Sequence, residues 1–403
     1  MQNCGWIFVL MQKKTFVTIF PICENVHLTT DIGQIPFFMY KNHGYESTIV
    51  AYKNSESYPN LDEEVKGLKM DFLEKKGRLI FLERAVLQYI KKNAKHIDVL
   101  DLYHFSKFTF VYGLIYKRLN PKGVLLIKLD AYNETFAEGN VIQHSTNKIK
   151  NAYFKYLERK FLKQVDLLCI ENSEGERLLK KMYPVVSSKV LFLPVGVNDL
   201  FLAEAFKDKV KEYDKKENII LSIGRIGEPI KNHEMILRAL TKTDMKDWKM
   251  VFVGPVNENF ANYFNELSKE CPILKEKITF TGRITNRVEL YEWYNKSKVF
   301  CMTSWHESFC HAIGEAFYFG NYIVGTEGIM SMKDISDSGK YGITLKADDD
   351  TALANTFQSI INDQTTIKDL YAQRVTHSHK YFIWSEIINK LNNQINKIRT
   401  ANA

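Results

Sequence analysis

Two successive series of short β-branched and aromatic runs, each run followed by a polar or glycine-containing loop and then a helical pattern, constrain this chain more than any other feature. The first series comprises TFVTIF from Thr15, STIVAY from Ser47, HIDVLDLYHF from His96, KGVLLIKLD from Lys122, VDLLCIEN from Val165 and KVLFLP from Lys189. The second comprises ENIILSIG from Glu217, WKMVFVG from Trp248, KITFTG from Lys277, KVFCMTS from Lys298 and NYIVGT from Asn321. Nearly continuous apolar strands separated by helices are the signature of parallel sheets covered on both faces. The pattern therefore predicts an α/β protein of two doubly wound, Rossmann-like lobes. Length agrees, since 403 residues exceed one comfortable core and suit two domains of roughly 150–200 residues.

Pro194, Gly196 and the polar stretch 207–218 read as a crossing between lobes. The expected first lobe covers 1–198 and the second 199–380. The remaining 381–403 form an amphipathic helix with no strand after it, expected to cross back to the first lobe.

Several classes are disfavoured. No apolar run approaches the roughly 18–20 residues that span a bilayer. The opening MQNCGWIFVL lacks basic residues before its apolar run and a small-residue cleavage site after it, and Met11 is a second candidate start. The six cysteines are scattered singly, without CxxC pairs or histidines at metal-ligand spacing, as expected of reduced thiols in a cytosolic protein without a metal centre. Basic residues exceed acidic ones 28 to 21 over residues 1–200, against 27 to 26 over the rest. Much of that excess lies in the helical stretches from Lys66 to Lys95 and from Lys148 to Lys163. Two readings stay open for them: a solvated face over apolar neighbours, or a surface for an anionic membrane and a lipid-linked anionic acceptor. Nucleic acid is disfavoured, because no recognised motif accompanies the charge.

Ligands of open α/β lobes bind beyond the carboxyl ends of strands. Arg225 follows ENIILSIG and Lys231 stands before a helix, so the two cations are candidates to hold one diphosphate and neutralise it as a leaving group. Ordinary solvated surface cations are the competing reading. KVFCMTS leads into the loop SWHES and the helix FCHAIGEAFYFG, expected to end at Gly320. With Ser308 as N-cap, the amides of Phe309, Cys310 and His311 would face an oxygen-rich ligand. Glu315 stands among apolar helix residues, where a carboxylate is costly unless something binds it. On one continuous helix Glu307 and Glu315 would lie about 12 Å apart, within reach of one long ligand; a paired glutamate and a loop glutamate in water are the alternative. Arg283, after KITFTG, could flank a base or simply face solvent.

In the first half, Asp31 to Gly33 are expected to form a tight loop where Gly33 lets a phosphate or acceptor approach the backbone. Asp130 closes KGVLLIKLD and could act on an acceptor hydroxyl, with Lys128 and His104 projecting nearby. Most strand-end aspartates cap a turn instead.

The order strand-GR-x5-KN-helix, then FVGP, FTGR, the Glu307-x7-Glu315 segment and NYIVGT resembles the retaining glycosyltransferases of sequence family 4, whose two-Rossmann-lobe architecture is called GT-B. The resemblance covers nearly the whole second half of the chain and more faintly the first. It implies that Arg225 and Lys231 hold the diphosphate of a nucleoside-diphosphate sugar, Glu315 its ribose, and Glu307 with the amides of Phe309 to His311 the transferred sugar. It also implies metal-independent transfer with retained configuration to a glycan or lipid-linked glycan hydroxyl, with no cofactor beyond the donor, and a setting in bacterial surface-polysaccharide assembly at the inner face of the membrane. Asp348, Asp349 and Asp350 fall in a late polar loop rather than a metal motif. Two glycines of the family's usual Glu-Gly-Phe-Gly are Ser308 and Cys310 here. A catalytically silent two-lobe sensor or scaffold is the alternative from another class.

Overall fold

The computed structural model describes residues 13–80, 82–130, 148–206 and 210–402. The choice between Met1 and Met11 lies outside them. The chain divides into two compact units, one of residues 1–128, 147–167 and 388–403, the other of 129–146 and 168–387.

In the first unit, β1 (Thr15–Ile19), β2 (Glu46–Ala51), β3 (Lys69–Phe72), β4 (Val99–Tyr103) and β5 (Val124–Leu129, its last residue belonging to the second unit) pair in parallel in the order β3-β2-β1-β4-β5. β4 and β5 are buried along their whole length, as strands covered on both faces must be. Between β1 and β2 runs helix α1 (Asp31–His43), ended by Gly44 at φ 68. Helices α2 (Lys107–Leu119) and α3 (Lys148–Gln164) pack together through Phe110 and Phe161, whose ring centroids are 4.7 Å apart. A Cβ on Gly113 would lie 2.9 Å from the Phe161 ring, so this crossing depends on glycine.

The second unit holds β6 (Leu167–Ile170, its first residue belonging to the first unit) paired with β7 (Val190–Phe192). It also holds a six-stranded parallel sheet of β8 (Glu217–Ile223), β9 (Lys249–Val253), β10 (Ile278–Phe280), β11 (Ser297–Met302), β12 (Tyr322–Thr326) and β13 (Gly342–Leu345). Its order is β10-β9-β8-β11-β12-β13, so the winding reverses between β8 and β11. At such a reversal the flanking loops part, and a crevice opens at the carboxyl edge.

The unit boundaries differ from the expected division at 198. Residues 168–198 go with the second unit because Asn172 bonds Ser308, Ser173 bonds Asp334, and Val197 exchanges backbone bonds with Phe382 and Trp384. The last helix begins at Trp384, and from Ile388 onward it belongs to the first unit. There Asn392 accepts from Tyr45 at 3.2 Å, Asn396 accepts from Lys14 at 3.0 Å, and Arg399 pairs with Asp98 at 2.8 Å.

Candidate active site

The winding reversal of the second unit gathers the chemistry. Past β8 the chain bends at Gly224, whose carbonyl fills the space of a side chain on Gly254: a Cβ there would lie 1.8 Å from that oxygen. Gly254 itself has φ 138, open only to glycine. The chain then turns through Pro229–Lys231 into helix α4 (His233–Leu240), capped by Asn232 in the left-handed conformation. That turn is fastened to the loop after β11. Thr303 donates to the carbonyls of Asn232 (2.8 Å) and Lys231 (3.1 Å), and the Trp305 amide donates to Ile230 at 2.8 Å.

The fastening brings Lys231 against Glu307, and their side chains form an ion pair. Ser304 donates to the same Glu307 oxygen at 3.1 Å. Main chain fixes Glu307 as well: its amide donates to Gly328 and its carbonyl accepts from Met330, both at 3.0 Å. Both partners are more than four-fifths buried, which strengthens the attraction relative to a surface pair.

His233 is wholly buried and accepts from the Gly227 amide through Nδ1 at 3.1 Å. Burial, with the nearby Lys231 charge, pushes its pKa down to about 3, so the ring is neutral and orders the turn as an acceptor.

Helix α5 (Arg287–Lys296) precedes β11, and α6 (His311–Tyr318) follows it. Among the described residues, the side-chain partners of Glu315 on α6 lie on α5. Arg287 reaches one carboxylate oxygen at 3.0 Å with Tyr291 at 3.3 Å, and Tyr294 donates to the other at 2.9 Å. Burial raises the Tyr294 hydroxyl well above its ordinary range, and the Glu315 charge adds to the shift, so it stays a donor. Sequence reasoning missed these three residues, although their i, i+4, i+7 spacing marks a single helix face.

Several expectations are corrected. The N-cap of α6 is Cys310, not Ser308, so Glu307 lies in a loop and the continuous-helix spacing to Glu315 does not apply. Cys310 has φ 68, a conformation that favours glycine, and burial aided by the Glu307 charge pushes its thiol up to about 12. Ser308 accepts from Asn172, and Phe309 is buried with its carbonyl bound by Ser331. Among the described residues, the amides of Phe309, Cys310 and His311 donate to no protein acceptor. Gly320, at φ 73, lies just past α6 as expected.

Arg225 is exposed beside Glu228 at 3.7 Å. Arg283 is exposed at the turn after β10. Gly33 lies inside α1 rather than in a loop, and its missing side chain makes room for Leu28, whose carbonyl oxygen would sit 2.3 Å from a Cβ. No ligand is needed to explain that glycine. Lys128 is buried and bonded to Asp31 at 3.1 Å rather than projecting outward, and burial pushes the neighbouring Asp101 carboxyl well up. His104 follows β4 at φ 63 with its ring 6.2 Å from that of Phe20. Asp130 is exposed just beyond β5.

Comparison with known proteins agrees with this frame. Residues 204–375 match the family described as Glycosyl transferases group 1. Over 341 residues the chain is 26% identical to GalNAc-alpha-(1->4)-GalNAc-alpha-(1->3)-diNAcBac-PP-undecaprenol alpha-1,4-N-acetyl-D-galactosaminyltransferase of Campylobacter jejuni, covering 81% of this chain and 83% of that one. It is 20% identical over 259 residues to Protein CapJ of Staphylococcus aureus, covering 63% and 61% of the two chains. The structure of Anabaena HepE in complex with UDP superposes with a TM-score of 0.69 at 12% identity, over 96% of this chain and all of that one. Residues 204–375, which include the winding reversal, thus form a glycosyltransferase group 1 domain, and the chain has the GT-B fold, a parallel α/β sheet in each unit.

Proposed function

We propose that the chain transfers a sugar, with retained configuration and without a metal, from a nucleoside-diphosphate sugar to a hydroxyl of a glycan or lipid-linked glycan in bacterial surface-polysaccharide assembly. The observation that carries this reading is the Lys231–Glu307 pair beside the three unpartnered amides at the start of α6. Lys231 has three N–H donors and one of them is hydrogen-bonded to Glu307, so two remain for phosphate oxygens. Arg225, exposed in the loop after β8, adds a second cation. Together they stabilise the charge that grows on the departing diphosphate.

Glu307 and the amides of Phe309 to His311 receive the hydroxyls of the transferred sugar. Three of the four lone-pair positions of Glu315 are used by α5, and the last suits a ribose hydroxyl. Arg283 flanks the base. The departing diphosphate takes the acceptor proton, and Asp130 orients the acceptor. The UDP complex of HepE and the PP-undecaprenol-linked glycan in the name of the Campylobacter relative support the two substrate classes. The reading places the first unit at the inner face of an anionic membrane, and its basic excess supports that placement.

Titration with UDP-, GDP- and dTDP-sugars, followed by product analysis with lipid-linked acceptors, tests the proposal. One donor should bind saturably and yield product of unchanged anomeric configuration, and Lys231→Ala should abolish transfer. Inverted product overturns the mechanism, and binding without turnover favours the sensor or scaffold.

A further inference from the structure

The amino-terminal edge of the second unit's sheet holds a cavity of about 340 Å³. It lies one strand length, roughly 16 Å for the five residues of β9, from the carboxyl edge that carries Lys231 and Glu307. Leu240 at the end of α4, the connection 243–246 leading to β9, and the short helix Ile273–Lys277 leading to β10 line it. Leu240, Met245 and Leu274 are buried and give it apolar walls. Ile273 is 45% exposed, so the cavity opens to solvent on that side.

Charge enters the lining through Lys246, Lys277 and Asp244, two cations against one anion. The Lys277 ammonium donates to the Lys246 carbonyl and so ties the two connections together, with two further N–H donors left over. The Lys246 ammonium donates to Asn362 at 2.6 Å. Asp244 accepts from the Lys246 amide at 3.2 Å, which commits one of its oxygens to the loop itself.

Protein interiors are close-packed, and a space of this size falls at the lower end of the roughly 300–1,000 Å³ of small-molecule sites. Its lining selects among ligands. A sugar or nucleotide would set several hydroxyls against leucine and methionine, at a cost for each one left unbonded. A cationic molecule would meet two ammonium groups. An apolar chain ending in an anion satisfies both parts of the lining, since the chain covers the walls and the head meets the lysines.

We propose that this cavity binds a small single-chain carboxylate, its hydrocarbon chain against Leu240, Met245 and Leu274 and its head on Lys277 and Lys246. The site is separate from the donor site, and its assay contains no nucleotide sugar, so neither reading falls with the other.

Octanoate is titrated into the full chain and binding is followed by calorimetry. One saturable site should appear at about millimolar concentration. Affinity should rise about fourfold with each methylene from hexanoate to octanoate. Octylammonium, of equal length and opposite charge, should bind about tenfold more weakly. Lys277→Gln should lower octanoate affinity by about fivefold. Ile273→Glu, an acid at the first position of its helix and therefore compatible with the fold, should lower it by about tenfold. Lys275→Gln, which removes an exposed lysine of the same helix outside the lining, should leave it within about twofold. An unchanged melting temperature in each variant separates lost binding from lost fold. The proposal is overturned if octanoate shows no saturable binding, if chain length has no effect, if octylammonium binds as well as octanoate, or if Lys275→Gln matters as much as Lys277→Gln.

Discussion

Replacing Tyr294 with phenylalanine removes one oxygen and leaves the ring. The residue is wholly buried, its ring lies nearly parallel to Phe319 at 6.2 Å, and it touches Phe300 at 5.8 Å, so packing survives the change. What is lost is the 2.9 Å bond to Glu315. A hydrogen bond to an ionised acceptor contributes about 1.5–3 kcal/mol, and here the abandoned oxygen is poorly hydrated. Arg287 and Tyr291 still hold the other oxygen, which keeps the carboxylate charged but lets it swing. Tyr294→Phe should therefore lower the urea midpoint by an amount equivalent to about 2 kcal/mol at unchanged slope. If Glu315 also receives the ribose, the donor KM should rise about tenfold while kcat moves less than threefold, the pattern of lost uniform binding. Unchanged stability would refute the energetic assignment of the bond. Lost stability with an unchanged donor KM would refute the link from this cradle to the nucleotide.

Three further outcomes follow from the same geometry. Because Cys310 occupies a glycine-favouring conformation, Cys310→Gly should be at least as stable as Cys310→Ala in chemical denaturation, by about 1 kcal/mol if strain dominates; the opposite ranking would remove the strain argument. The His233 pKa is about 3 in the folded chain against roughly 6.5 unfolded, so below pH 6.5 the unfolded state binds a proton that the folded state does not. Stability should then fall as pH drops from about 6.5 toward 3, by up to about 1.4 kcal/mol per unit, and His233→Asn should flatten that slope in urea titrations. Gly254→Ala would drive a methyl into the Gly224 carbonyl at a φ hostile to side chains, and should cost more than about 3 kcal/mol or abolish soluble expression; a well-folded variant would contradict the described crossing.

The strands were legible because their signal is local: VLLIKL and KVFCM are apolar enough to declare burial on both faces without knowledge of their neighbours. The pairing of Lys231 with Glu307 was legible in kind, through cations and carboxylates at strand ends, but not in partner. Which cation reached which acid depended on Thr303 and Trp305 fastening one turn to another loop, a tertiary fact. The start of α6 was misplaced because a serine is the usual cap and the left-handed cysteine that serves instead has no local signature. Gly33 was misread for a related reason, since a glycine required by a neighbouring backbone looks, in sequence, like one required by a ligand. Glu315 declared its need for a partner, yet the partners stood on a helix whose stripe of Arg287, Tyr291 and Tyr294 mixes with other aromatics.

The loop carrying Glu307 is registered by main chain, through Trp305 to Ile230 and through the amide and carbonyl of Glu307 to Gly328 and Met330. Such bonds are blind to side-chain identity. Trp305 can therefore be exchanged without disturbing where Glu307 stands, so this stretch is evolvable in a way the adjoining helices are not. A library varied at Trp305 should therefore leave Glu307 in register.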